Sequence, residues 1–388
     1  MKLKEVDSPQ DVCEFLRLPL KLYKDDPNFI RPLDEDVEQV FDAKKNSFLK
    51  EGECCRWLLK NDAGETIGRI GAFFDPESFA DQEQATGGVG FFECINDKKA
   101  AFLLFDTAKN WLRLKGMEAM DGPINLGPRD RWWGLLVEGF HPPCYCSNYN
   151  PPYYQKFFED YGFQLYFKQF TYHRNVLEKL RPVHYAIAER LKTNSDYSFS
   201  HIKLKNLEKY TADFQTVFNK AWTNHKGVDE MTWEKAKSIV SSLKPVLDEK
   251  IAWFAYYRDE PIGFFICIPE LNQLFVKDVN GKIDFKGKLR FVWNKLTGKC
   301  STMYGIVFGI VPEHQKKGVE VAMMVASLEV LHDPKKSSYR DLQMNWIGDF
   351  NPKMMHVAEQ IGGKIYKTHH TYRYLFDRNK EFKRHPLI

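Results

Sequence analysis

The chain runs through Tyr304-Gly305-Ile306-Val307-Phe308-Gly309-Ile310-Val311-Pro312-Glu313-His314 into a short polar loop, Gln315-Lys316-Lys317-Gly318-Val319-Glu320. A strongly apolar stretch follows, Val321-Ala322-Met323-Met324-Val325-Ala326 and on to Leu331. The pattern predicts a strand over Met303–Val311, a loop, and a helix over Val319–Leu331. The first N–H groups of a helix have no intrahelical partners and carry the positive end of its dipole. Such a loop suits a pyrophosphate, and Lys316 and Lys317 add positive charge beside it. Gly305 and Gly309 sit inside the strand, where glycine often marks a bulge or a close backbone approach. The helix is apolar over most of its surface and must pack on a sheet, which fixes the loop.

Two passes through one plan hold this loop in place. In the first, strands are expected at Leu3–Val6, Cys54–Lys60, Thr66–Phe74, Gly88–Ile95, Met117–Asp121 and Phe163–Arg174, with helices at Asp11–Tyr23, Lys98–Lys115 and Tyr153–Tyr161. A helical connector near Val183–Lys192 leads to the polar Thr193-Asn194-Ser195-Asp196, a boundary signal. The second pass has strands at Ile202–Leu204, Ile251–Tyr257, Ile262–Ile268, Met303–Val311, Leu342–Trp346 and Ile365–Leu375. Its helices are Thr211–Trp222, Met231–Asp248, Val319–Leu331 and Pro352–Ile361, and Leu271–Thr297 is a basic, partly helical insertion. Direct echoes support a repeat. Trp57 with Ile67-Gly68 matches Trp253 with Ile262-Gly263, and Thr171-Tyr172 matches Thr371-Tyr372. The expected division is 1–180, a connector 181–200, and 201–388.

The strand, loop and helix resemble the acetyl-CoA signature of the GCN5-related N-acetyltransferase (GNAT) superfamily: Gln or Arg, two residues, Gly, one residue, then Gly or Ala. Here the six positions read Gln315 to Glu320, with Glu320 in place of the small residue. The order of elements in both passes is similar to that fold, so the resemblance covers nearly the whole chain. It implies an α+β protein of two tandem GNAT-like domains, each a mixed central sheet flanked by helices. The family's later motif begins with Asn before a helix, has Tyr seven residues on and ends in Gly-Phe. Asn351 matches its start, but Ala358 stands at the Tyr position and Gly362-Gly363 at the end. The first pass inverts this: Asn150, Tyr153, Phe157 and Gly162-Phe163 fit the later motif, with Phe157 in place of Tyr, while Asn96-Asp97-Lys98-Lys99 replaces the glycine loop.

The resemblance implies acetyl-CoA, or another acyl-CoA, as cofactor, held by Gln315, Lys316, Lys317, Gly318, Val319, Glu320 and Asn351, with the pantetheine arm along Ile310 and Val311. It implies an N-acyltransferase, in the first instance an N-acetyltransferase, acting on a small-molecule or peptide amine. An ammonium near pKa ~10.4 must lose a proton before it attacks. Glu270 and Asp349 are candidate bases, and Tyr304 and Tyr372 candidate acids for the leaving thiolate. Two alternatives stay open: a non-catalytic binding protein on the same fold, and an aminoacyl or long-chain acyl transferase. The loop-rich Pro123–Pro152 segment is read either as a substrate rim or as a packed domain interface.

With 388 residues, two cores are expected. The net charge of +4 gives no footprint for a nucleic-acid partner. No apolar run approaches the ~20 residues of a membrane span, so no membrane partner is expected. Met1–Asp7 lacks the apolar core of a secretory signal, and eight scattered cysteines suit a cytoplasmic setting. His141, Cys144 and Cys146 lack a fourth ligand at matching spacing, so no metal is expected. Gly87-Gly88-Val89-Gly90 lacks both the spacing and the helix of a dinucleotide loop.

Overall fold

The computed structural model describes residues 1–76, 84–222 and 230–387. Its first half holds strands β1 (Lys2–Glu5), β2 (Glu53–Lys60), β3 (Thr66–Phe74), β4 (Thr86–Cys94), β5 (Ala119–Gly122), β6 (Leu135–Glu138) and β7 (Gln164–Asn175). Its helices are α1 (Pro9–Leu22), α2 (Asp34–Phe41), α3 (Lys98–Leu114) and α4 (Tyr154–Tyr161). Helix α5 (Pro182–Lys192) connects the halves. The second half holds β8 (Tyr197–His201), β9 (Ala252–Tyr257), β10 (Glu260–Pro269), β11 (Thr302–Ile310), β12 (Asp341–Gly348) and β13 (Lys364–Leu375). Helices α6 (Leu207–Trp222), α7 (Trp233–Leu243), α8 (Leu271–Leu274), α9 (Phe285–Leu296), α10 (Val319–Leu331) and α11 (Pro352–Gln360) flank these strands.

Among the described residues the strands form one mixed sheet in the order β1-β2-β3-β4-β5-β13-β7-β12-β11-β10-β9-β8, with β6 paired to β13. The halves therefore exchange their last strands. β7 closes on β12 of the second half, and β13 lies against β5 of the first. β7 and β13 then pair with each other from Lys364↔His173 to Arg373↔Gln164, so both strands that carry a Thr-Tyr echo meet, with Thr171 opposite Lys367 and Thr371 opposite Phe167. Two extended apolar cores result, one around Phe92, Phe105, Tyr154 and Phe158, the other around Trp253, Phe264, Met323 and Leu328.

Local sequence accounts for most boundaries. Asp97 caps α3 by accepting from the amides of Lys99 and Ala100, and Gly162 ends α4 at φ 104°. The strand expected at Ile202–Leu204 lies five residues earlier, in β8, where Tyr197, Phe199 and His201 alternate with exposed serines. The helix expected over Met231–Asp248 is shorter. Thr232 caps α7 at its start, and Pro245 disfavours helix for the residue before it. The apolar surface of α10 is covered on both sides. Val319, Met323 and Leu328 join the sheet core, while Ala322 and Val325 pack under Ile187, Ala188 and Leu191 of α5.

Candidate functional site

β11 and β12 run parallel and pair only from Thr302↔Asp341 to Gly305↔Met344. Beyond Gly305 they part. Each carries one extra residue at that point: β11 gains Ile306 against β10, between Gly305↔Cys267 and Val307↔Ile266. β12 gains one against β7, between Met344↔Tyr172 and Ile347↔Phe170. A bulge bends its strand and breaks the ladder, so the two bulges open a gap between neighbouring strands. The gap is a groove of about 270 Å³. Met323 and Met324 of α10 form one wall, Met354, Val357 and Ile361 on and just beyond α11 the other, and Ile306–Phe308 with Trp346–Ile347 the floor. Glu320, Asn345 and Asn351 are its polar lining residues.

At the head of the groove the polar loop turns with Lys316 at φ 60° and Gly318 at φ 87°. Gln315 Nε2 donates to Ile310 O at 3.0 Å, and Arg190 of α5 donates to Lys317 O at 3.1 Å. No side chain caps the start of α10, and its first intrahelical bond is Ala322 N to Gly318 O. The amides of Val319, Glu320 and Val321 thus precede the helical ladder. Lys316 and Lys317 are exposed and make no ion pair among the described residues.

The residues expected at the site separate into two groups. Glu320 and Asn351 line the groove, while Gln315, Lys316, Lys317, Gly318 and Val319 form the turn that leads into α10; Asn351 caps α11 by accepting from Met354 N. Ile310 turns its carbonyl to Gln315. Val311 gives its N–H to Ile262 O at 2.9 Å, so that amide is taken by the sheet. Because strand residues alternate in direction, the backbone groups of Phe308 and Ile310 face the groove side. Tyr304 stands where the strands part, and its hydroxyl accepts from Asn345 Nδ2 at 3.0 Å. Burial pushes this phenol well above its usual range, so it stays protonated.

Glu270, Asp349 and Tyr372 stand elsewhere. Glu270 caps α8, accepting from Gln273 N at 2.8 Å and from Tyr145 N at 2.7 Å; burial raises its carboxyl. Asp349 accepts from Lys168 N and pairs with Arg384 at 2.6 Å. Tyr372 is buried in the first half against Phe158 and hydrogen-bonds Glu159 at 3.0 Å.

Asn345 is the residue sequence reasoning missed. It touches Tyr304, accepts from Thr171 Oγ1 at 2.5 Å, and reaches Ser147 at 3.3 Å. It lies in the β12 bulge, where the period-2 pattern that reveals strand faces is broken. The Pro123–Pro152 segment straps the halves together: Trp346 Nε1 donates to Arg129 O at 2.6 Å, Cys144 meets Gln343 at 2.9 Å, and Tyr145 meets Glu270. Among the described residues no group of His, Cys, Asp and Glu could hold a metal ion.

No family model matches the chain. Over 376 residues it is 27% identical to a protein of Caulobacter vibrioides described as bacterial ceramide synthase, covering 95% of each chain. It is 26% identical over 372 residues to protein YghO of Escherichia coli, covering 93% of this chain and 92% of that one. A tandem GNAT protein from the clavulanic acid biosynthesis pathway superposes with a TM-score of 0.56 at 11% identity, over 97% of this chain and 99% of that one. The glucosamine N-acetyltransferase region of a fungal multi-domain β-N-acetylglucosaminidase gives 0.55 at 11% identity, over 96% of this chain and 38% of that one. The fold is a tandem pair of GNAT-type domains.

Proposed function

We propose that the protein is an N-acyltransferase that moves a long acyl group from coenzyme A to the primary amine of a long-chain amino alcohol. The observation that carries this reading is the groove between β11 and β12. At about 270 Å³, with methionines from three elements in its walls, it gives far more apolar room than the single methyl of an acetyl group needs. Methionine side chains adapt to flexible chains. The full-length similarity to a protein described as a ceramide synthase supports the same product class, since a ceramide is the amide of a fatty acid and a long-chain amino alcohol.

The residues present fit coenzyme A. The uncapped start of α10 and the free Lys316 and Lys317 suit a pyrophosphate. The groove-facing backbone of Phe308 and Ile310 suits the amide groups of a pantetheine arm. Bound there, the thioester would supply an activated acyl carbonyl. Glu320 is the acidic residue in the groove lining and pairs with no cation among the described residues. Its charge favours a cationic acceptor near the groove. Tyr304, protonated, accepts from Asn345 and has no acceptor for its own O–H among the described residues, so it is placed to donate a proton to the departing sulfur.

The test is to incubate the protein with a long-chain amino alcohol and either hexadecanoyl-CoA or acetyl-CoA, and to measure amide by mass spectrometry. Amide from hexadecanoyl-CoA in clear excess over acetyl-CoA is expected. Tyr304→Phe should lower kcat by about a hundredfold with little change in the KM for acyl-CoA. A preference for acetyl-CoA, or no amide with either donor, would refute the reading.

A further inference from the structure

The insertion between β10 and β11 carries α9, Phe285-Lys286-Gly287-Lys288-Leu289-Arg290-Phe291-Val292-Trp293-Asn294-Lys295-Leu296. Its inward face is made by Gly287, Phe291 and Asn294. Phe291 packs edge-on against Phe275 with ring centroids 5.4 Å apart, and Asn294 Nδ2 donates to Leu274 O at 2.7 Å. The outward face is apolar. Phe285 is 74% exposed, Leu289 56%, Val292 50%, Trp293 67% and Leu296 79%. At 3.6 residues per turn these five fall in one stripe about 100° wide. Ile283, just before the helix, is exposed as well.

Cations flank the stripe on both shoulders: Lys286 and Arg290 on one side, Lys288 and Lys295 on the other. No acidic residue occurs from Phe285 to Leu296. Lys282, Lys286, Lys288 and Arg290 are exposed and make no ion pair among the described residues. Lys295 alone is turned back, donating to Pro245 O at 2.6 Å. An ordinary surface helix puts its apolar residues inward and its charges outward; here the outward face is the apolar one.

We propose that α9 docks flat on the surface of an anionic lipid bilayer, its apolar stripe in the boundary between headgroups and acyl chains and its flanking cations on lipid phosphates. The charge pattern selects this occupant. A stripe rimmed by lysine and arginine complements anionic headgroups, whereas two copies meeting stripe to stripe would bring like charges together. Twelve residues span ~18 Å, well short of a bilayer core, so the helix lies on the membrane rather than across it. The connection from Thr297 to Ser301 leads into β11, whose later stretch Gly305–Phe308 lines the groove.

The test is flotation of the full chain with vesicles of phosphatidylcholine alone and of equimolar phosphatidylcholine and phosphatidylglycerol. The wild type should float with the anionic vesicles, far less with phosphatidylcholine alone, and less as salt is raised. The double variant Trp293→Glu/Leu296→Glu and the triple variant Lys286→Glu/Lys288→Glu/Arg290→Glu should each lose about tenfold or more of the bound fraction. Both alter exposed side chains, so unchanged thermal unfolding is the control for folding. The proposal is overturned if the wild type stays unbound with both vesicles, or if the variants float like the wild type. It is also overturned if the chain is instead a dimer that Trp293→Glu/Leu296→Glu dissociates. The assay uses no acyl donor, so its failure leaves the acyltransferase reading standing, and failure of that reading leaves this one standing.

Discussion

In the first half β4 and β5 run parallel and pair over Thr86–Gly88 and Ala119–Asp121; in the second, β11 and β12 do the same over Thr302–Gly305 and Asp341–Met344. Each outer strand then bulges, β4 between its partners Gly90 and Glu93 and β11 at Ile306. From this shared starting point the halves diverge. In the first, the chain after β5 stays on β4, with Ile124 N donating to Val89 O at 2.8 Å. Glycines let the segments close up: a Cβ on Gly90 would lie 1.9 Å from Ile124 O, and one on Gly122 2.5 Å from Val89 Cγ2. Phe92, Phe105, Tyr154 and Phe158 fill the space beneath. A cavity of about 60 Å³ remains, beside the buried Glu93, which accepts from Tyr23 and Tyr154. In the second half Asn345 bonds Tyr304, methionines replace the aromatic stack, and the groove stays open. One strand-parting geometry thus gives a packed core in one half and an open groove in the other. The difference lies in what fills it.

Gly305→Phe should have the largest effect. Gly305 lines the groove, and a Cβ there meets nothing closer than 3.6 Å. The side chain can therefore enter and fill the groove. Acyl transfer should fall by a factor of about a hundred or more while the thermal unfolding midpoint holds, as steady-state kinetics and calorimetry would show. Next, Lys316→Glu with Lys317→Glu should raise the KM for acyl-CoA about tenfold, an effect that shrinks with added salt. These lysines are a cleaner test of the loop than a bulky side chain at Gly318 such as Gly318→Trp. A Cβ on Gly318 would meet Ile187 Cγ2 at 2.4 Å, so that change also disturbs the packing of α5.

The matching change in the first half should act on stability alone. In Gly90→Ala the new Cβ meets a backbone oxygen that cannot step aside, which costs about 1–3 kcal/mol. Acyl-CoA affinity of the folded protein should stay unchanged. A loss of affinity matching that of Gly305→Phe would break the comparison. The smallest expected effect concerns the seam. His369 on β13 is buried and bonds Asn148 O at 3.1 Å, and burial pushes its ring down to about 4. Its folded value lies below the ordinary 6.5. Its contribution is therefore present above pH 6.5 and lost as pH falls from there toward 4. Urea unfolding across that range should show falling stability, and His369→Gln should flatten the fall.

The fold and the loop were legible because their signals are local. The apolar run Val319–Leu331 behind Gly318, the Asn351 cap and the Trp57 and Trp253 hairpins each speak through short-range spacing. The exchange of β7 and β13 was not legible, because either strand could close its own half and only long-range pairing decides. Tyr372 was for that reason expected at the second site, whereas β13 carries it into the core of the first half. Glu270 could not be told from a base: it caps α8 through Gln273 N, but what holds its other oxygen is Tyr145 N, 125 residues away. The α9 stripe was visible as a basic insertion, but composition alone does not say which face of a helix is turned outward.

The central claim is that the second half, and not the first, holds the acyl donor. A crystal structure of the protein with a non-hydrolysable hexadecanoyl-CoA analogue tests it most directly. The pyrophosphate is expected at the amides of Gln315 to Glu320 and the acyl chain between β11 and β12 against Met323 and Met354. An acyl chain between β4 and β5, or a pyrophosphate away from Lys316 and Lys317, would contradict it.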